Sequence, residues 1–250
     1  VLKSYGEVAE VIRQKKHVVA FTGAGISVDA GIPAFRGGQG LWEKYDPMEY
    51  AEIGAFHNSP EKVWFMLREM GEVILKARPS PAHVALGDLE RAGFLDAVIT
   101  QNVDGLHQMA GNSNVIEYHG NHRRLVCESC STTGAFTEES MKALPFPRCE
   151  KCGRPLKPDV VFFGEQIPLK AMVGANQQAS GCGVLIIVGT SGVVYPAAEI
   201  PVLARSNGAV VVEINVSPTP FTSSVTDHFL EGSASTILPD IVRLLSDDNG

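Results

Sequence analysis

Nowhere in the chain does an apolar run reach the roughly 18 residues that a helix needs to cross a membrane, and no secretory leader is visible. Positive charge is also scarce. Twenty-one Lys and Arg stand against 28 Asp and Glu, a net charge of −7. A protein that binds nucleic acid through its phosphates carries a basic footprint, so direct nucleic-acid binding is not expected. There are only five cysteines, an odd number. Without secretory features, a disulfide framework is not the reading they support; metal binding in a reducing, cytoplasmic compartment is. Internal repeats and low-complexity segments are missing too. What remains is 250 residues, 44% of them hydrophobic, enough for one sizeable domain or two small ones with ample core.

The chain is organised around TGAGISVDAGIPAFR, residues 22–36. A short β-branched run, 17–21, feeds into it and reads as a buried strand. Gly23, Gly25 and Gly31 follow. Glycine allows tight turns and close approach to a ligand. A strand, a glycine turn and a helix start make a phosphate cradle, with free N–H groups facing the anion. The pattern is incomplete. Val28 stands where the dinucleotide fingerprint has its third glycine, and no GK[ST] follows for a P-loop. A plain turn ending an edge strand has the same appearance. Phe35 and Arg36 beside the glycines add an aromatic face and a cation.

Further apolar runs at 95–99, 184–188 and 209–214 are separated by helical patterns. Helices are expected over 5–16, from Ser59-Pro60, from Ser80-Pro81, over 168–181, 196–207 and 233–248, and a further strand over 158–165. Strands apolar throughout and alternating with helices predict an α/β, Rossmann-like, doubly wound parallel sheet. Polar residues at strand ends are where such sheets bind ligands: Gln101, Asn102 and Asp104; Gly189, Thr190 and Ser191; Asn215; Ala234. Asp104 reads equally as an Asx turn capping 105–110. His119, at the end of a short strand and before Gly120, is placed to be a general base. His83 reads as packed or on a helix surface, His107 as a helix residue and His122 as a surface residue.

Cys127-x-x-Cys130 and Cys149-x-x-Cys152 predict two thiolate knuckles around one structural Zn²⁺. Four thiolates leave no open position for catalysis. The pairs lie between two strands of the sheet, so the zinc-ribbon module is an insertion. The expected division is a discontinuous Rossmann-like, nucleotide-binding domain, 1–120 and 160–250, and an inserted module, 121–159, joined by part of the 37–80 region. Cys182 reads as a packed core cysteine.

The motifs GAGIS, GIPAFR, TQNVDGLH, YHG, the two cysteine pairs, PDVVFFGE, VGTS and EIN occur in one order across nearly the whole sequence. In this the chain resembles the sirtuins, NAD-dependent protein deacylases, of the compact bacterial or archaeal type. The resemblance implies NAD as co-substrate and an acylated-lysine protein or peptide as partner, bound between the domains by strand addition between PDVVFFGE and the 192–196 segment. The acyl group would pass to ADP-ribose, releasing nicotinamide, O-acyl-ADP-ribose and free lysine. His119 would be the base acting on the ribose hydroxyls, and Asn102 would orient ribose or water. Gly23, Ala24, Gly25, Ile26, Arg36, Trp42 and Gln101 would belong to the cofactor site, with Asp104 and the Ile32 backbone holding the nicotinamide amide and Phe35 shielding the ribose. Gly189, Thr190, Ser191, Asn215 and Ala234 would cradle the adenosine end. The Val161 carbonyl would hold the acyl-lysine amide, with Phe162, Gly164 and Val193 alongside. Val28, Asp29 and Asn121 depart from the residues commonest in the family. Where members that prefer acidic acyl groups carry Tyr and Arg, this chain has Leu67 and Met70, which implies an apolar acyl pocket. A protein ADP-ribosyltransferase or NAD hydrolase would share the cofactor loop. A non-catalytic zinc-ribbon module and a dehydrogenase are readings from other classes.

Overall fold

The structure is a computed structural model that describes residues 2–35 and 40–247. In chain order it runs α1 (Leu2–Gln14), β1 (Val18–Thr22), a 3-10 helix (Ala24–Ala30), α2 (Leu41–Lys44), α3 (Pro47–Tyr50), α4 (Ile53–Asn58), α5 (Pro60–Lys76), α6 (Pro81–Arg91), β2 (Ala97–Thr100), α7 (Leu106–Met109) and β3 (Val115–Glu117). It continues with β4 (Gly120–Val126), β5 (Thr133–Ala135), α8 (Glu138–Lys142), β6 (Lys157–Val160), α9 (Leu169–Gly181), β7 (Val184–Val188), α10 (Glu199–Ser206), β8 (Val210–Asn215), β9 (His228–Glu231) and α11 (Ala234–Asp247).

Six strands form one parallel sheet in the order β3-β2-β1-β7-β8-β9. Strand direction of growth reverses between β1 and β7, and such a switch point opens a crevice at the carboxyl ends of the strands. The apolar strands sort their side chains by alternation. Val18 and Ala20 of β1, with Ile186 of β7 and Val212 of β8, face a core closed by Val8 and Ile12 of α1, Leu86 and Leu89 of α6, and Leu238 and Ile241 of α11. Val19, Phe21, Ile187 and Val211 face the opposite core, closed by Ala175 and Ala179 of α9 and Ile200 and Ala204 of α10. A fully buried Val, Leu or Ile contributes about 1.5–3 kcal/mol, so both faces must be covered, and the sequence is apolar on both.

A second sheet, antiparallel and three-stranded in the order β5-β4-β6, lies in the chain between β3 and α9. Its apolar cluster is shared. Leu125, Phe136 and Met141 pack on Phe56 of α4, Val63 and Trp64 of α5, and Phe162. The Trp64 indole N–H donates to the Leu156 carbonyl at 2.8 Å, tying α5 to the start of β6.

Three differences from the sequence expectation have physical causes. The strand expected over 158–165 stops at Val160; beyond Val161 the Phe162 N–H is taken by the Glu165 side chain rather than by a neighbouring strand. Only Phe163 resumes pairing, as a parallel bridge to Glu52. The element after the first strand is a 3-10 helix, ended by Gly31 at φ 87, where a residue with a Cβ is strained. Strand β9 was not expected, since HFLE has no continuous apolar run.

Candidate active site

The glycine turn after β1 and the one after β7 touch backbone to backbone. A Cβ on Gly25 would lie 2.7 Å from the Gly189 Cα, and one on Gly189 would lie 2.6 Å from the Ile26 nitrogen. Gly189 is also at φ 58. The Gly25 N–H donates to the Gly189 carbonyl at 2.8 Å, and the Gly23 N–H to the Val188 carbonyl at 3.0 Å. Gly23 itself is extended, at φ −128. These glycines are therefore demanded first by the contact between two strand ends. Side chains lace the same edge: Gln101 Nε2 donates to Thr190 Oγ1 at 2.9 Å, and Asn215 Nδ2 to the Thr190 carbonyl at 2.9 Å.

This edge opens on a cavity of about 740 Å³, within the range of ligand sites. Gly23, Ala24, Gly25, Gly189, Thr190 and Ser191 line its floor at the switch point, and Asn215 and Ala234 line it further along the sheet. Phe35 and Trp42 line it as a stacked pair with ring centroids 5.2 Å apart, and Phe163 follows Trp42 at 6.2 Å. Gln101, Asn102, His119, Val161, Phe162 and Gly164 also line it. An arm of the cavity carries Met66, Leu67, Met70, Ile74 and Phe136, apolar throughout.

Four expected residues lie elsewhere. Ile26 and Ile32 are buried behind the lining. Val193 is exposed and outside it. Asp104 is 6% exposed and has both oxygens committed inside the protein: Ser27 Oγ donates to Oδ2 at 2.7 Å, and the Leu106 N–H to Oδ1 at 2.9 Å. Its Asx-turn role at the start of α7 is therefore present. Arg36 falls outside the described residues.

Behind the lining runs a buried polar network. Asn102 Nδ2 donates to the Gly23 carbonyl and to Ser27 Oγ, each at 3.1 Å. The Ser80 N–H donates to His83 Nδ1 at 3.2 Å, which leaves the proton on Nε2, 3.5 Å from Ser27 Oγ. His107 Nε2 sits 2.9 Å from Thr22 Oγ1, and the two imidazoles are 4.8 Å apart. Burial pushes the His83 pKa down to about 4, against the pull of the Asp104 charge. Burial, and then the neighbouring His83, hold His107 well below its ordinary value. Both are packed, neutral histidines at neutral pH.

His119 ends the β3–β4 turn. Its Nδ1 lies 3.1 Å from the Gln101 carbonyl, which can only accept, so Nδ1 carries the proton and Nε2 the lone pair. Burial lowers its pKa, with the Gln101 carbonyl opposing. The group is thus a neutral imidazole at pH 7, able to take a proton. His122 is not the surface residue expected. It lines the same cavity, with Nδ1 donating to the Val103 carbonyl at 2.6 Å. No sequence signal marked it, because β4 is polar and its register shifts between Gly120 and Leu125.

The four paired cysteines meet apart from this cavity. All four sulfurs lie within 4.8 Å of one another, with Cys127 and Cys152 at 3.4 Å and Cys130 and Cys149 at 3.5 Å. Four thiolates around zinc at about 2.3 Å need sulfurs about 3.8 Å apart, so the set fits that ion. The two halves are alike. Ser131 N–H donates to the Cys127 carbonyl and Gly153 N–H to the Cys149 carbonyl, each at 2.8 Å, with Ser131 at φ 58 and Gly153 at φ 72. Cys182 is buried, and burial pushes its thiol up to about 11, so it is inert. Among the described residues no helix is long and apolar enough to cross a membrane.

The Sir2 family model matches residues 23–196. A protein of Pyrococcus furiosus named NAD-dependent protein deacylase is 47% identical over 95% of this chain and 96% of its own. A Pyrobaculum aerophilum protein, NAD-dependent protein deacylase 2, is 48% identical over 94% of each. Among solved structures, a Sir2 homolog–NAD complex superposes with a TM-score of 0.91 at 40% identity, covering 98% of this chain and 94% of that one. A Sir2 complex with a p53 peptide and NAD⁺ gives 0.88 at 33% identity over 97% and 98%. With its parallel sheet, its four-cysteine module and a match along nearly all its length, the chain belongs to the Sir2 family.

Proposed function

We propose that the chain is an NAD-dependent protein-lysine deacylase that transfers the acyl group of an acyl-lysine to ADP-ribose, with nicotinamide, O-acyl-ADP-ribose and free lysine as products. The observation that carries this reading is a neutral histidine base, His119, on the same cavity as the glycine cradle of the sheet's switch point. The relatives named as deacylases, and the Sir2 structures holding NAD and peptide, support it.

NAD is a co-substrate here; its pyrophosphate belongs over Gly23, Ala24 and Gly25, and Gly189, Thr190 and Ser191 face its adenosine side. Asn215 and Ala234 take the adenosine end. Phe35, stacked on Trp42, covers the reacting ribose and keeps water off it. Asn102, held by Ser27 and the Gly23 carbonyl, orients the ribose or a water molecule. His119 Nε2 accepts the ribose hydroxyl proton, while the Gln101 carbonyl fixes its tautomer. An extended acyl-lysine peptide adds as a strand between 161–165 and 192–196, with the Val161 carbonyl accepting from its amide N–H. Leu67 and Met70 make the acyl arm apolar. Much of the rate comes from holding two substrates in line.

Cys127, Cys130, Cys149 and Cys152 would hold one zinc. With four thiolates the ion supplies a cross-link for the module and no open coordination site.

Nicotinamide release, followed with and without an acetyl-lysine peptide, tests the reading. Release that requires the peptide is expected. Release at equal rates without it would instead favour NAD hydrolysis or ADP-ribosyl transfer, which the cradle alone would serve.

A further inference from the structure

The segment just beyond β6 holds an unusual pairing, a lysine ammonium buried beneath a turn that lines the cavity. The side chain of Lys157 is 5% exposed and that of Glu165 is 21%. Lys157 Nζ donates to the Val160 carbonyl at 2.8 Å and to Glu165 Oε2 at 3.0 Å, and approaches the Pro158 carbonyl at 3.4 Å. It also sits 4.6 Å from the centre of the Phe162 ring. The same Glu165 oxygen accepts from the Phe162 N–H at 2.7 Å. A buried charge is retained only when paired and hydrogen-bonded, and here all three ammonium protons have partners.

The Val160 carbonyl is taken by Lys157, and the Phe162 N–H by Glu165. The Val161 N–H donates to the His119 carbonyl at 2.9 Å, and the Glu165 N–H to the Phe162 carbonyl at 3.0 Å. Phe163 spends its N–H on Ala51 and its carbonyl on Ile53. Of the four carbonyls from Val160 to Phe163, the one without a partner among the described residues is that of Val161, on a residue that lines the cavity. Buried polar groups are almost always satisfied, so a carbonyl left open between occupied neighbours is available to a ligand N–H.

We infer that Lys157 and Glu165 act as positioning residues for the acyl-lysine substrate: together they hold the 160–165 turn so that the Val161 carbonyl alone remains to accept the substrate amide N–H. The inference rests on the deacylase reading and deepens it. The pair lies on β6 and its following turn, whereas the cradle is built by the ends of β1 and β7. Loss of the pair therefore acts on peptide and leaves NAD untouched. The pair is not a catalytic dyad, since it reaches the reaction only through the turn.

The test uses Lys157→Met/Glu165→Gln, which removes both charges together and leaves neither one buried alone, with Lys157→Arg as the conservative variant. Affinity for an acetyl-lysine peptide is measured by fluorescence polarisation, affinity for ADP-ribose by calorimetry, and KM and kcat for peptide by steady-state assay. The double variant is expected to bind peptide on the order of 10–100-fold more weakly, the scale set by misplacing a contact by about 1 Å, with ADP-ribose affinity within about twofold. Lys157→Arg is expected to retain most peptide affinity. Unchanged peptide affinity in the double variant overturns the inference. So does an equal loss of peptide and ADP-ribose affinity, which would make the pair a general fold support. Failure of the unsubstituted protein to bind acetyl-lysine peptide would instead sink the deacylase reading, and the inference with it.

Discussion

The two sheets bear on the same cavity but are held together by different physics. The parallel sheet closes its switch point with apolar strands buried on both faces and with glycine backbones in contact. The small sheet has one strand, β5, exposed throughout, and its apolar cluster borrows Phe56, Val63 and Trp64 from outside its own strands. Its four paired cysteine sulfurs lie within 4.8 Å of one another. The cradle edge is held by the packing of the parallel sheet itself, while the small sheet relies on packing against α4 and α5 and on four cysteines that could hold an ion.

The strongest way to break the comparison is at the sulfurs. Structural zinc is worth on the order of 10–16 kcal/mol to a small domain. Cys149→Ser is expected to lose the metal by elemental analysis and to lose deacylation, while the parallel sheet keeps a cooperative melting transition. A zinc-free, fully active Cys149→Ser would show that the module needs no ion.

His119→Ala comes next. It sits where the two sheets join and supports neither core. Deacylation is expected to fall about 10²–10⁴-fold, with ADP-ribose affinity preserved by calorimetry. Because burial lowers the His119 pKa, the acid limb of the pH–rate profile is expected below pH 6.5. A limb above it would contradict the neutral-base assignment.

A third effect lies at His83 of α6, in the buried polar network behind the cavity lining. The unfolded chain protonates His83 near pH 6.5, and the folded protein only near pH 4. Stability is thus fully present above pH 6.5 and falls as the pH drops toward 4, by about 3 kcal/mol for His83. Urea titrations at several pH values are expected to show this slope in the unsubstituted protein and a shallower one in His83→Gln.

The smallest effect belongs to the apolar arm. Leu67→Tyr with Met70→Arg is expected to move preference from acetyl- toward succinyl-lysine, by about tenfold or less, in competition assays. No change in preference would mean that these side chains do not meet the acyl group.

What the sequence reveals follows the same division. The parallel sheet was legible because its strands are apolar on both faces and end in small polar residues, as at Val188-Gly189 and Ile214-Asn215. The cysteine pairs were legible by spacing. Strands β4 and β5 were not, because β4 is mostly polar with a shifted register and β5 is exposed throughout, and with β4 went the placement of His122 in the cavity. For Asp104 the sequence offered both a ligand contact and an Asx turn, because a carboxylate after a strand looks the same in either; the structure displays its bonds to Ser27 and the Leu106 N–H. The strand expected over 158–165 could not reveal a turn made by Lys157 and Glu165 side chains.

The most direct test of the central claim is mass spectrometry of one acetyl-lysine peptide incubated with the zinc-loaded protein, with and without NAD. The account predicts deacetylated peptide and O-acetyl-ADP-ribose in equal amounts, and only when NAD is present. NAD consumption with the peptide left acetylated, and longer hydrocarbon acyl groups equally untouched, would contradict it.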